Sequence, residues 1–365
     1  MVETIYSYRH VPGNDKGKPG SIFAQAGYIE RDVYDVMPVK DKQKDQHGFG
    51  SIKQDLNKTT VQEFILIAFS NLRQLQLLLF LFVLIAYTIC VTGNITIIVL
   101  VRMEPLLQTP MYFFISTFAV LEIMFMTVTI AKLQDNLISG NQRISVIECF
   151  TQMFILDGLG ETECYLLLVM AFDRNLAINN PLHYSAIMKK EIYSLLAVAP
   201  WVGGFAASSV TTRFMAQLDF CGPNQINHFI CDLVPVQILS CSDTSVIKLA
   251  TILTATFSII FSGIIIIALY VHIIKTILKI KGAEGKQKAF STCSSHLIVA
   301  SLFFGTGFVV YIIPTGGKNY KYLALIYMVL TPLLNPLIYT LRNSDVKTAA
   351  KKIIIKYILS EGRQY

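Results

Sequence analysis

The sequence is short of charge. Only 15% of its 365 residues are Asp, Glu, Lys or Arg, against about 25% in a soluble globular protein. With 53% hydrophobic residues and a mean hydropathy of +0.52, the chain reads as a membrane protein. Seven cysteines include no CxxC pair, and without zinc spacing a structural metal has little support. No GxSxG, HExxH or P-loop occurs, and Ser208-Ser209 has no base placed beside it, so no enzyme is expected. Nothing points to a nucleic-acid partner. No apolar h-region precedes the first long apolar run, so no signal peptide is expected.

What is present divides unevenly. Residues 1–56 hold eight basic and eight acidic residues, so the net charge of +7 belongs to the remainder. They are polar, with clusters such as Lys40-Asp41-Lys42 and no periodic apolar run, and are expected to be a disordered extension or a gene-prediction artefact. Asn57-Lys58-Thr59 is a glycosylation sequon in a segment, 57–76, expected outside the cell. Asn94-Ile95-Thr96 matches the same pattern within an apolar run, beyond reach of the glycosylation machinery.

Seven apolar runs follow, near 77–101, 111–133, 147–172, 193–210, 251–274, 290–313 and 322–341. Each approaches the ~20 residues that cross a hydrocarbon core as a helix, and helices satisfy their own backbone where lipid cannot. Lys189, Lys190, Lys275, Lys279, Lys281, Lys286, Lys288, Arg342 and Lys347 follow the third, fifth and seventh runs. Positive charge marks the cytosolic side, which puts the N-terminus outside and the C-terminus inside. After Leu341, Ser344-Asp345 can cap a short helix in which Val346, Ile353, Ile354 and Ile358 alternate with lysines. That pattern suits a surface helix with its basic face towards anionic lipid. The fold expected is therefore an all-α membrane protein. It comprises a seven-transmembrane helix bundle over 77–342 and a cytoplasmic tail, 343–365, with a short amphipathic helix.

Four stretches carry a resemblance. Pro110-Met111-Tyr112-Phe113-Phe114 opens the second run, and residues 170–184 read Met-Ala-Phe-Asp-Arg-Asn-Leu-Ala-Ile-Asn-Asn-Pro-Leu-His-Tyr. Lys288-Ala289-Phe290-Ser291-Thr292-Cys293-Ser294-Ser295-His296 begins the sixth, and Pro332-Leu333-Leu334-Asn335-Pro336-Leu337-Ile338-Tyr339 closes the seventh. In this order they resemble the olfactory receptor family of rhodopsin-like G-protein-coupled receptors, the second being similar to its signature MAYDRYxAICNPLHY. The resemblance covers residue 57 to the end. Residues 1–56 fall outside it, and the family's outer tail is normally short.

The residues themselves suggest two clusters. Asp157, Gly160, Glu161 and Cys164 follow i, i+3, i+4, i+7 in the third run and share a face, with Glu163 displaced but on the same broad side. Phe304, Gly307, Phe308 and Tyr311 are spaced to share a face of the sixth. With Thr254 and Ser258 of the fifth, these residues are expected to line a cavity for a small, partly apolar ligand; ordinary helix packing is the competing explanation for each. Glu122 and Glu163 are costly acids at membrane depth that need partners. A water network would serve them. Four cysteines, Cys149, Cys221, Cys231 and Cys241, lie on the expected oxidising side and allow three pairings. Cys90, Cys164 and Cys293 fall in apolar runs and are expected to pack as small hydrophobes.

The resemblance implies more. It selects Cys149–Cys231 and Cys221–Cys241 as the disulfides. It makes Glu122 and Glu163, with Asn94 and Asn335, a possible sodium site, no other cofactor being expected. It gives Asp173, Arg174, Tyr270, Asn335, Pro336 and Tyr339 the role of a G-protein switch. The implied function is odorant reception at the plasma membrane: a small volatile ligand activates a stimulatory heterotrimeric G protein and raises cyclic AMP. A receptor for a non-odorant small molecule and an ion-coupled transporter are the alternatives. The transporter would need an internal repeat, which the sequence lacks. Two residues depart from the signature, Asn175 in place of Tyr and Asn179 in place of Cys. The first is expected to lose apolar packing against the second loop.

Overall fold

Thr109-Pro110 illustrates how the helices start. Pro110 opens α2, Pro110–Ser139, where its missing N–H has no helical partner to lose. The helix ends at Gly140, whose φ of 68° closes the last turn. The computed structural model describes residues 61–69, 74–221, 223–312 and 320–361. The extension 1–56 and the sequon at Asn57 lie outside these residues.

Before α2 comes α1, Gln76–Met103. After it, α3, Val146–Asn179, starts with a capping box: Ser145 Oγ accepts from the Glu148 amide and Glu148 Oε2 accepts from the Ser145 amide. Short α4, Pro181–Ile187, precedes α5, Lys190–Met215. A loop with the short helix α6, Leu233–Gln237, leads to the fifth span. That span joins α7, Ser245–Ala255, through a π turn to α8, Ser262–Lys279. The sixth is α9, Ala283–Gly307, continued by a π turn at Phe308–Ile312. The seventh runs from α10, Tyr320–Leu325, through another π turn to α11, Thr331–Arg342. Finally comes α12, Ser344–Glu361.

Six of these spans are long and apolar enough to cross a bilayer. The remaining one, α3, carries Glu148 exposed at its start and Asp157, Glu161 and Glu163 farther along, and it crosses because those last three acids are turned inward. It packs against α2, α5, α8 and α9 at the centre of the bundle. Apolar residues such as Leu77, Ile85, Val202 and Ile267 are more than half exposed, a pattern that water would penalise and hydrocarbon satisfies. The described residues thus form a seven-helix, multi-pass membrane bundle. The helices overrun the apolar runs by several residues at about half of their ends, since polar turns outside hydrocarbon still satisfy their backbone internally.

A small sheet covers one mouth. β1, Glu63–Leu66, lies between β2, Arg143–Ser145, and β3, Gln225–Ile226. It runs antiparallel to β2 and parallel to β3. Four residues are too few for alternation to announce a strand. At the same mouth Cys149 is joined to Cys231 and Cys221 to Cys241; Cys90, Cys164 and Cys293 are free and buried.

At the opposite end α12 turns on Asn343 rather than on Ser344-Asp345. Asn343 Oδ1 accepts from the amides of Asp345 (2.9 Å) and Val346 (3.3 Å). Val346 and Ala349 are buried against the bundle, and Lys352 Nζ meets Glu104 Oε1 at 2.6 Å. The side chains of Ile354 and Ile358 lie outside the described ones.

Candidate functional site

Beneath the sheet-covered mouth lies a cavity of about 90 Å³, bounded by α3, the fifth to seventh spans and the loop before α6. Asp157, Gly160, Glu161 and Cys164 all reach it, along with Thr254, Ser258, Gly307 and Tyr311. Its lid is Ile230, Cys231, Asp232, Leu233 and Val234. The Cys149–Cys231 bond anchors that lid to α3, and Gln152 Oε1 accepts from the Cys231 amide at 3.0 Å. Each acid is held by hydroxyls. Thr211 donates to Asp157 at 2.7 Å, and Ser258 and Tyr165 donate to Glu161.

Phe304 and Phe308 correct the expectation from spacing. Neither lines the cavity; Phe304 packs partly buried near Gly263, and Phe308 is 44% exposed on the outside of the bundle. The face that does point inward is Phe303, Gly307 and Tyr311. The π turn from Phe308 widens the helical repeat. It brings Tyr311 back over Phe303 and Gly307 rather than over Phe304.

Glu163 stands apart from the cavity, beside Glu122. It lies two positions beyond Glu161, so it leaves the cavity wall and faces Glu122 of α2 instead. Asn335 Nδ2 donates to Glu122 Oε1 at 2.5 Å. Glu122 Oε2, Glu163 Oε1, Asn335 Oδ1 and the Tyr339 hydroxyl are buried with no partner among the described residues. Partnerless carboxylate and amide oxygens would suit a hard cation or shared protons. The amide nitrogen of Asn94 donates back to Cys90 O at 3.0 Å.

At the far end Arg174 grips its neighbour Asp173, with Nη2 at 2.6 Å and Nε at 3.0 Å from Oδ2. Tyr184 of α4 donates to the other oxygen at 2.6 Å. Tyr270 meets His296 Nδ1 at 2.5 Å, and Tyr339 stands edge-on to Phe118. Pro336 lies inside α11 against α1, so close that a Cβ on Gly93 would stand 2.9 Å from its own Cβ. Cavity and ion pair occupy opposite ends of α3.

Comparison with known proteins agrees with this architecture. The family model described as olfactory receptor matches residues 82–357. The chain belongs to the olfactory receptor family. Olfactory receptor 2AP1 of Homo sapiens is 44% identical over 305 residues, 83% of this chain and 99% of the relative. Olfactory receptor 10A7, also from Homo sapiens, is 42% identical over 84% of this chain and 98% of its own length. Olfactory receptor 6E1 of Mus musculus is 43% identical over 82% and 97% respectively. The chain is accordingly a receptor and not an enzyme.

The receptor's structure also shows residues that spacing did not single out. Tyr165 donates to Glu161 from one turn along α3, a pair that i, i+4 spacing could have revealed. Asp232, Phe125, Met153 and Tyr327 reach the cavity from other segments, and Tyr184 reaches Asp173 through the turn at Pro181. No local pattern marks such contacts. Around the mouth, Lys321 Nζ caps Ala68 O at 2.7 Å and Asn227 Oδ1 at 3.0 Å. Tyr320 donates to Asp232 at 2.7 Å. Together they tie the N-terminal strand, the lid and the seventh span.

Proposed function

We propose that this receptor lies in the plasma membrane with its N-terminus outside, binds a small, largely apolar volatile molecule, and activates a stimulatory heterotrimeric G protein that raises cyclic AMP. The observation that carries the reading is the lidded, mostly apolar cavity at one end of α3, with Asp173–Arg174 at the other. Concentration of lysines at the Arg174 end supports the orientation.

Ligand filling the cavity would favour one of two pre-existing arrangements of the bundle. Pro336 removes a helical hydrogen bond and lets α11 bend. Tyr270 and Tyr339 would repack as the switch end opens, and Arg174, released from Asp173, would meet the G protein. Glu122, Glu163 and Asn335 would hold a sodium ion, whose positive charge would stabilise the resting arrangement. α12 would rest on anionic lipid through its lysines. The polar extension 1–56 and glycosylation at Asn57 belong to the same proposal for the outer side.

The test is a cyclic-AMP reporter in cells displaying residues 57–365, screened with a volatile panel. A response is expected; silence from a chain shown to reach the surface would refute odorant reception. Arg174→Ala should abolish signalling while ligand binding persists, and full signalling by that variant would refute the switch.

A further inference from the structure

The cavity is lopsided in charge. Asp157, Glu161 and Asp232 line it, and among the described residues that line it none is Lys, Arg or His. Their partners are neutral: the Thr211 hydroxyl for Asp157, Ser258 and Tyr165 for Glu161, and Tyr320 with the Leu233 amide for Asp232. Among the described residues no cation pairs with any of the three. A carboxylate at membrane depth is costly unless a cation or several donors offset it. Hydroxyl donors favour the ionised form yet leave its charge uncompensated. Thr251 Oγ1, lining the cavity from the fifth span, is buried with no partner among the described residues. The same cavity is lined by the rings of Phe303, Tyr311 and Tyr327, packed with centroids 5.8 Å apart at each Tyr327 contact. Their faces attract cations.

We propose that the ligand of this cavity is a small protonated amine. Its ammonium group sits between Asp157 and Glu161, where three N–H donors find carboxylate and hydroxyl oxygens. Its apolar tail lies against Phe125, Met153 and Phe303. A ligand carboxylate is repelled by the three acids, and a neutral alcohol satisfies one hydrogen bond without supplying charge. This inference rests on the receptor reading above and narrows it to one ligand chemistry.

The experiment uses sets of probes that share a tail and differ in head group: cyclohexylmethylamine, cyclohexylmethanol and cyclohexanecarboxylic acid, with matching linear and phenyl series. Each is applied to cells displaying the full chain and read by cyclic AMP, with surface staining in parallel. Amines are expected to be at least about tenfold more potent than the matched alcohols, and the acids inactive. Glu161→Gln should lower amine potency by roughly 30-fold, as expected for removing one partner of a buried charge pair. Asp157→Asn provides a second arm should that variant fail to reach the surface. Responses carried by alcohols or acids, or amine potency unchanged in both variants, overturn the amine and leave the receptor standing. Silence to these sets and to a broad volatile panel from a surface-displayed chain overturns the receptor reading, and the amine with it.

Discussion

Acidification should loosen the lid through His228. This side chain has no exposed surface; it stacks on Phe229 with centroids 4.5 Å apart and lies 5.5 Å from the Tyr320 ring. Its Nδ1 accepts the Ile230 amide at 3.3 Å, and Nε2 is buried with no partner among the described residues. Burial pushes its pKa down from 6.5 to about 4, Asp232 opposing the shift and Lys321 adding to it. Above pH ~6.5 folded and opened lids are both neutral here, and stability does not depend on this group. Below that value the opened lid takes up a proton that the closed one refuses. Stability is then lost as pH falls from ~6.5 towards ~4, and at pH 5 the loss is about 2 kcal/mol, or roughly 30-fold in the opening equilibrium. Amide hydrogen exchange over residues 223–234, corrected for the intrinsic pH dependence, should accelerate by about that factor between pH 7.5 and pH 5. His228→Phe keeps an aromatic ring and removes the titration, so it should flatten the response. An equal acceleration in wild type and variant would refute the assignment to His228.

Further predictions follow from packing. A Cβ on Gly204 would stand 2.7 Å from both Gly158 O and the Thr162 amide nitrogen, so Gly204→Ala should push α5 from α3 and cost about 1–3 kcal/mol, seen as a lower melting temperature in detergent. Gly160→Ala meets nothing within 4 Å; it should leave melting within about 0.5 kcal/mol of wild type while changing ligand potency through the narrowed cavity. Asn175→Ala and Asn179→Ala should each lower stability by about 1 kcal/mol, measured the same way, because each removes bonding that joins α3 to α8, Asn175 to Leu269 O and Asn179 to the Thr276 hydroxyl.

How far the sequence could be read depended on the range of the interaction. The spans were legible because hydrocarbon imposes a length and an apolar composition on each helix separately. The stripe Asp157, Gly160, Glu161, Cys164 was legible because α3 is regular there, and all four reach the cavity. The same arithmetic failed on α9, where a π turn resets the repeat between Gly307 and Tyr311. Nothing in Phe308-Val309-Val310-Tyr311-Ile312 announces that turn. The lid's Asp232 and the strand Glu63–Leu66 were hidden for another reason: their partners lie far away in the chain, beyond any local period.

The two departures from the family signature show what a substitution read alone can miss. Replacing Tyr by Asn at 175 removes a ring, which in sequence looks like a loss of packing. In the structure Asn175 Nδ2 donates to Leu269 O at 3.2 Å and lies 3.2 Å from His272 Nδ1. One turn later Asn179 Nδ2 donates to Asn175 O at 3.1 Å, and Asn179 Oδ1 accepts from Thr276. Both departures therefore serve one seam: two short amides on α3 reach a carbonyl, an imidazole and a hydroxyl on α8. Each hydrogen bond contributes only about 0.5–1.5 kcal/mol, but they stand next to Arg174, so the seam biases the same end of the bundle that the ion pair holds. Asn175→Tyr alone would leave Thr276 bonded to Asn179, and Asn179→Cys alone would leave Asn175 on Leu269. The pair must be exchanged together to remove the seam, which is why neither residue can be scored as a weakness by itself.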